Sequence, residues 1–328
     1  MKRALKWIGI FIGVLVLLLV IAMIALMIWK PWAPSFDVAE PGDGGQRITE
    51  DGLLANYYPA EANSPAILVL GGSEGGLSGG TDAIAQTLND EGFTTMALSY
   101  YGAADQPQIM ENLPLEYFDT ALSWLSEQPE VNPDAVGIFG GSKGAEAALL
   151  IASRDTSIKA TVAAAPSHVV WAGIDMAKPW AMAKLGSTWS ADGEPLPYVP
   201  YGGQPSSREI ADMYRASLVA APDAEEKAVI PVENSAGPVL MTCGEDDTLW
   251  PACDMARKVE ARAKEHGGPE VTVLAYPDAG HLVQGPPAKP NSDHYNNLDI
   301  LGGSIESNQA GLEDSWPQVV EFFHAELG

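Results

Sequence analysis

A serine set among glycines, Gly140-Gly141-Ser142-Lys143-Gly144, follows the apolar run Ala135 to Phe139 and precedes the helix-forming run Ala145 to Ser153. In that context a G-x-S-x-G match predicts a sharp strand-to-helix turn that lifts a serine hydroxyl above a sheet. Small residues at Gly140 and Gly144 let strand and helix approach closely around a strained serine. A free hydroxyl is a poor nucleophile at neutral pH, so Ser142 needs a base. Of the five histidines, His281 is best placed, because Ala279-Gly280-His281 lies just beyond the apolar run Val271 to Tyr276. It would accept the Ser142 proton and return it to a leaving group. The acid that orients such a base belongs between serine and histidine in chain order. Thr242-Cys243-Gly244-Glu245-Asp246-Asp247 closes another predicted strand and offers three carboxylates. Asp247 is preferred, since Gly-x-x-Asp gives the turn room to send its carboxylate back toward His281; Asp246 is the runner-up and Glu245 reads as a solvated turn residue.

Attack on a carbonyl also needs donors for the developing oxyanion. The backbone N–H of Lys143 is one expected donor. The other is expected from Gly71-Gly72-Ser73-Glu74-Gly75-Gly76, with the Ser73 amide first and Glu74 next. That stretch lacks the Lys-Ser/Thr ending of a P-loop and the spacing of a dinucleotide fingerprint, so no cofactor is expected. His168, Trp171 and Trp250 are candidate pocket residues, aromatic packing under a lid being the plain alternative for the first two. His266 reads as a helix-end residue, His294 as a loop residue and His324 as part of the last helix. With no close ligand spacing among them, no metal is predicted. Cys243 and Cys253 are the two cysteines; they could pair or serve as small core side chains, and their number excludes a cysteine-rich metal site.

The elements that must position these groups follow a repeated βα rhythm. Strands are expected at Leu53 to Tyr58, Ala66 to Leu70, Thr94 to Ser99, Ala135 to Phe139, Ile158 to Ala164, Val239 to Thr242 and Val271 to Tyr276. Helices are expected at Asp82 to Asp90, Pro114 to Glu127, Ala145 to Ser153, Asp254 to Glu265 and Trp316 to Leu327, the last after a glycine- and asparagine-rich loop around 291–308. The pattern argues for a mainly parallel sheet with helices on both faces. It lapses at about 166–232, which reads as an inserted lid or pocket wall within one α/β domain, 51–328.

Residues 7–29 carry no charge and would span roughly 34 Å as a helix, with Trp7 and Trp29 at the two ends. They are expected to form a transmembrane anchor within residues 1–30, followed by a juxtamembrane spacer, 31–50. Three basic residues before the span against one after it place the N-terminus in the cytoplasm and the catalytic domain outside. Beyond Lys30 the chain holds 14 Lys plus Arg against 43 Asp plus Glu. Such a surface repels nucleic acid, which is excluded as a partner.

Five segments together, 71–76, Leu113 to Phe118, Gly141-Ser142-Lys143-Gly144-Ala145-Glu146, Gly244 to Pro251 and Ala279-Gly280-His281, resemble the catalytic C-terminal domain of acyl-CoA thioester hydrolases and bile acid-CoA:amino acid N-acyltransferases. The resemblance runs from about Pro65 to Leu327. It implies an α/β-hydrolase fold with Ser142, Asp247 and His281 as a triad. The expected function is a serine acyl hydrolase acting through a covalent acyl-enzyme on a small-molecule carboxylic ester or thioester, lipid-derived acyl groups included. The alternatives are acyl transfer to an amine or alcohol, and a non-catalytic, membrane-tethered binding module.

Overall fold

A computed structural model of the protein describes residues 2–29 and 36–328. It divides into two units. One contains helix α1 (Lys2–Trp29) with residues 176–179; the other comprises residues 36–175 and 180–328. Within α1 the longest continuous stretch of described side chains, residues 10–26, is exposed. Among the described residues no helix is long and apolar enough to cross a membrane. That finding overturns the transmembrane anchor expected at 7–29. The membrane as a partner and the single-pass placement, N-terminus cytoplasmic and catalytic domain outside, fall with it. Residues 31–35 of the expected spacer lie outside the described residues.

The larger unit is built on an eight-stranded sheet in the order β1-β2-β4-β3-β6-β7-β10-β11. Its strands are β1 (Gln46–Ile48), β2 (Leu54–Tyr58), β3 (Ser64–Leu70), β4 (Thr94–Ser99), β6 (Val131–Gly141), β7 (Ile158–Ala164), β10 (Val239–Gly244) and β11 (Val271–Tyr276). From β4 to β11 every neighbouring pair is parallel, while β1 and β2 run antiparallel at one edge. The strand β1 falls in the range expected as spacer. It pairs Gln46 with Tyr57 and Ile48 with Ala55, and Val38 bridges Leu77, so the chain is engaged with the domain from its first described residues there.

Alternation along the strands divides the core into two layers. In β3, Ala66, Leu68 and Leu70 enter one cluster and Ile67 and Val69 the other. The first layer is covered by α3 (Glu116–Ser126), α4 (Lys143–Ala152) and α7 (Ala252–His266), through residues such as Phe118, Leu149 and Met255. The second is covered by α2 (Gly79–Asp90) and α9 (Ile305–Leu327), through Ala85, Leu88, Trp316 and Phe323. Gly137 lets α9 sit close on β6: a Cβ there would stand 3.0 Å from both Phe323 and Leu327. Helices on both faces of a mixed sheet with a long parallel run make this an α/β-hydrolase fold.

Between β7 and β10 the chain forms β8 (Trp189–Ala191), β9 (Glu194–Pro195), α5 (Ile210–Ala220) and α6 (Pro222–Ala228). The strands β8 and β9 join β5 (Leu113–Pro114) in a small separate sheet. One short helix, α8 (Asp293–Asn296), precedes α9.

Candidate active site

Ser142 stands between the end of β6 and the first turn of α4 at φ 54° and ψ −116°. A side chain at Gly140 would run into the Gly144 carbonyl, and one at Gly144 into the carbonyls of Leu70 and Gly71. These two glycines therefore let strand, helix and the loop after β3 converge on the serine. The Ser142 amide donates to the Ala164 carbonyl at 2.8 Å, and the Ser142 carbonyl already accepts from Ala145 and Glu146 of the helix.

The structure brings Ser142, His281 and Asp247 together. His281 Nε2 lies 3.0 Å from Ser142 Oγ, and His281 Nδ1 lies 2.7 Å from Asp247 Oδ2. All three residues are buried. Asp247 Oδ1 accepts from the amides of Leu249 and Trp250 at 2.8 and 3.0 Å, which fixes the carboxylate from its other side. Glu245 and Asp246, the neighbouring carboxylates, are exposed, and Glu245 pairs with Arg257. The loop is held at both ends, because Cys243 at the end of β10 is disulfide-bonded to Cys253 in the first turn of α7.

A third loop, between α8 and α9, joins the acid loop to the histidine loop. The Leu301 carbonyl accepts from His281 N and Thr248 N, while Gly302 bridges Asp247 and Gly303 bridges Ala279. Buried Asn308 secures this junction: its Oδ1 accepts from Gly280 N at 2.6 Å, and its Nδ2 donates to the carbonyls of Leu298 and Gly302 at 2.8 and 2.9 Å. On the serine side, Gln284 Nε2 donates to the His281 carbonyl at 2.6 Å, and a Cβ on Gly141 would meet Gln284 Oε1 at 2.6 Å. Neither Asn308 nor Gln284 is singled out by the sequence, where an amide in a polar stretch carries no mark of its burial.

The loop 71–76 lies directly against the serine, a Cβ on Gly72 coming within 2.9 Å of the Ser142 Cβ. Its shape is set by side chains. Glu74 Oε1 accepts the Gly72 amide at 2.9 Å, Tyr100 donates its hydroxyl to the Gly71 carbonyl at 2.6 Å, and Tyr101 donates to the Ser73 carbonyl. Burial pushes both tyrosines well above the usual phenol range, so both hydroxyls stay protonated donors. Ser73 is half-buried and Glu74 exposed. The amides of Lys143 and Gly144, at the open N-terminal end of α4, meet no backbone acceptor among the described residues.

Trp250 packs edge-on against the His281 ring at a centroid distance of 6.0 Å. Tyr214 of α5 packs on Trp250 at 5.7 Å and on Trp171 at 4.7 Å, so Trp171 reaches the histidine through two intervening rings. His168 stands apart from this group. Its Nε2 lies 3.0 Å from Glu225 of α6 and 3.4 Å from Lys258 of α7, and it lines a cavity of about 260 Å³ that none of Ser142, Asp247 and His281 lines. Among the described residues no group of three or more His, Cys, Asp or Glu is disposed to hold a metal ion.

Residues 113–328 match the family model described as BAAT / Acyl-CoA thioester hydrolase C terminal. The chain is 31% identical over 301 residues to acyl-coenzyme A thioesterase 1 of Rattus norvegicus, covering 88% of this chain and 66% of that one. It is 32% identical over 283 residues to the Homo sapiens protein of that name, covering 83% and 62%. The chain thus spans less than two thirds of the length of these relatives. Among solved structures, an esterase of Pyrococcus furiosus superposes with a TM-score of 0.54 at 17% identity, covering 90% of this chain and 100% of that one. A puromycin-hydrolyzing peptidase of Mycobacterium tuberculosis gives a TM-score of 0.54 at 16% identity, covering 88% and 41%. At such identities the likeness concerns the fold.

Proposed function

The chain belongs to the BAAT / acyl-CoA thioester hydrolase C-terminal family, and on that premise we propose that it is a serine acyl hydrolase cleaving a carboxylic thioester or ester through an acyl-Ser142 intermediate. The observation that carries the reading is the relay of 3.0 Å from Ser142 Oγ to His281 Nε2 and 2.7 Å from His281 Nδ1 to Asp247 Oδ2. An ionised carboxylate can only accept, so Asp247 selects the tautomer with the proton on Nδ1 and leaves the Nε2 lone pair facing the serine.

In the first half-reaction Ser142 Oγ bonds to the substrate carbonyl carbon as its proton passes to His281 Nε2. The carbonyl π-electrons move onto oxygen, held by the amide of Lys143 and an amide of the 71–76 loop, Ser73 before Glu74. Collapse breaks the bond to the thiolate or alkoxide, which takes the proton from His281. In the second half-reaction a water gives its proton to His281 and attacks the acyl carbon, and Ser142 leaves with that proton. Asp247 holds the imidazolium in place throughout. Tyr100, which braces the oxyanion loop, also lines a cavity of about 140 Å³ with Leu113, Pro114, Tyr117 and Phe118 beside Asp105 and Gln106, and none of Ser142, Asp247 and His281 lines it.

The test is steady-state turnover by the full chain on acyl-CoA thioesters and simple esters of matched acyl length, with Ser142→Ala beside it. Turnover that falls about 10³-fold or more in the variant is the expected result. Undiminished turnover by Ser142→Ala would sink the reading. Formation of acyl-amine or acyl-alcohol product in preference to free acid when acceptors are added would replace hydrolysis with acyl transfer.

A further inference from the structure

One strongly unfavourable arrangement near Ser142 has no part in the relay. Lys143 and Glu146, in the first turn of α4, are both fully buried, and Lys143 Nζ lies 2.7 Å from Glu146 Oε2. Removing two charges from water costs several kcal/mol per ion unless their remaining hydrogen-bonding capacity is met. Here it is met by the segments that pack over the elbow. Glu146 Oε1 accepts from the Trp189 indole N–H at 2.8 Å and from the Trp171 amide at 3.2 Å. Lys143 Nζ also donates to Thr188 Oγ1 at 3.0 Å and stands 5.7 Å from the centre of the Trp189 ring. Thr188 Oγ1 in turn lies 3.0 Å from the carbonyls of Trp171 and Ala172. Burial pushes the Lys143 ammonium below its usual range and the Glu146 carboxyl above its own, and their mutual attraction opposes both displacements.

Every one of these partners belongs to the insertion, at 171–172 or 188–189, whereas both charged residues belong to the turn that carries the Lys143 amide. We propose that Lys143 and Glu146 are positioning residues: the buried pair fastens the insertion to the nucleophile helix and thereby fixes the Lys143 amide where the oxyanion develops. The inference rests on the serine-hydrolase reading above. An apolar pair of similar volume would fill the space without the desolvation cost, but it would lack directional bonds to the Trp189 indole, the Trp171 amide and the Thr188 hydroxyl. Those bonds specify one angle of the helix turn relative to the insertion, and an oxyanion donor is useful only within a few tenths of an ångström of its position.

The experiment compares the full chain with Glu146→Gln and Thr188→Val, using a short acyl ester and a trifluoromethyl ketone of the same acyl group. The ketone adds to Ser142: Oγ bonds to the carbonyl carbon, the serine proton passes to His281, and the resulting oxyanion occupies the hole. For Glu146→Gln, kcat/KM and ketone affinity are expected to fall together by roughly 10- to 100-fold, less than the ~10²–10³ cost of deleting an oxyanion donor. KM should stay within about twofold, and values are taken per folded molecule from active-site titration. Thr188→Val, which removes one contact of Lys143, is expected to lower both by about 3- to 10-fold, and it carries the test if Glu146→Gln does not fold. Ketone affinity that stays unchanged while kcat falls, or losses that vanish when corrected for folded fraction, would overturn the proposal. A wild-type chain that neither hydrolyses esters nor binds the ketone would instead overturn the hydrolase reading itself.

Discussion

At the scale of single residues, Ser142, the proposed nucleophile, carries a conformational cost. A non-glycine residue at φ 54° and ψ −116° lies outside the well-populated regions and stores on the order of 1–3 kcal/mol. Alanine keeps that cost and glycine removes it. Ser142→Gly is therefore expected to be more stable than Ser142→Ala by about 1 kcal/mol in urea unfolding, with turnover lowered in both variants. Equal stabilities would show that the elbow is unstrained. The sequence identified Ser142, His281 and Asp247 as candidates because each follows a predicted parallel strand, and in such sheets the carboxyl ends of the strands converge on one edge. The burial of Glu146, which the sequence offers only as part of the family-like segment 141–146, was not legible for a physical reason. A glutamate three residues into a helix reads as a first-turn acid facing water; its burial is decided by Trp171 and Trp189, 25 and 43 residues further on.

At the scale of elements, α6 and α7 are tied by Glu225, Lys258 and His168, with Lys258 Nζ 2.5 Å from Glu225 Oε1. The hydrogen bond from His168, then the contact with Lys258, holds the Glu225 carboxyl down at about 2. A carboxyl with a depressed folded-state value contributes stability above its unfolded value, near 4.5, and loses it as pH falls toward about 2. Burial also holds the His168 imidazole below its ordinary range, so folding resists its protonation and stability drops as pH falls through the usual histidine range. Glu225→Gln is expected to lower the thermal midpoint at pH 7 and to match the parent near pH 2; a gap of equal size at both pH values would refute the tether. Elements were least legible where local signals competed with packing. Trp316-Pro317 reads as a helix start, since proline suits the first turn. In the structure α9 begins at Ile305, capped by Ser304, and Pro317 lies inside it. The buried Asn308 and Gly311, which look like loop residues, are there because an amide must reach Gly280 and because Val283 and Tyr276 approach within 3.2 and 3.5 Å of a Cβ at 311. The two- and three-residue strands β5, β8 and β9 are too short to carry a period of two.

For the whole molecule, the formal charge of −25 sets the long-range field through which any substrate arrives. A CoA thioester brings several phosphate charges of the same sign, and repulsion between them is screened over a Debye length that shrinks from about 30 Å at 0.01 M salt to about 3 Å at 1 M. KM for a CoA thioester is expected to fall over that range while KM for a neutral ester of the same acyl group stays flat. A rise for the thioester would reveal a local cationic docking site that overrides the net charge. The apolar run at 7–29 shows how far composition alone can mislead at this scale, since it fixed an expectation of placement that the described residues of α1 do not sustain. The junction at Leu301, Gly302 and Asn308 has a consequence for how activity appears in time. Chains are synthesised from the N-terminus at roughly 5–20 residues per second. The serine elbow therefore leaves the ribosome about 10–30 s before Asn308, which pins the histidine loop to the acid loop. Ser142 is thus made well before the amide that holds Gly280 beside the acid loop, and on the proposed serine-hydrolase mechanism a nascent chain gains turnover only once α9 has docked.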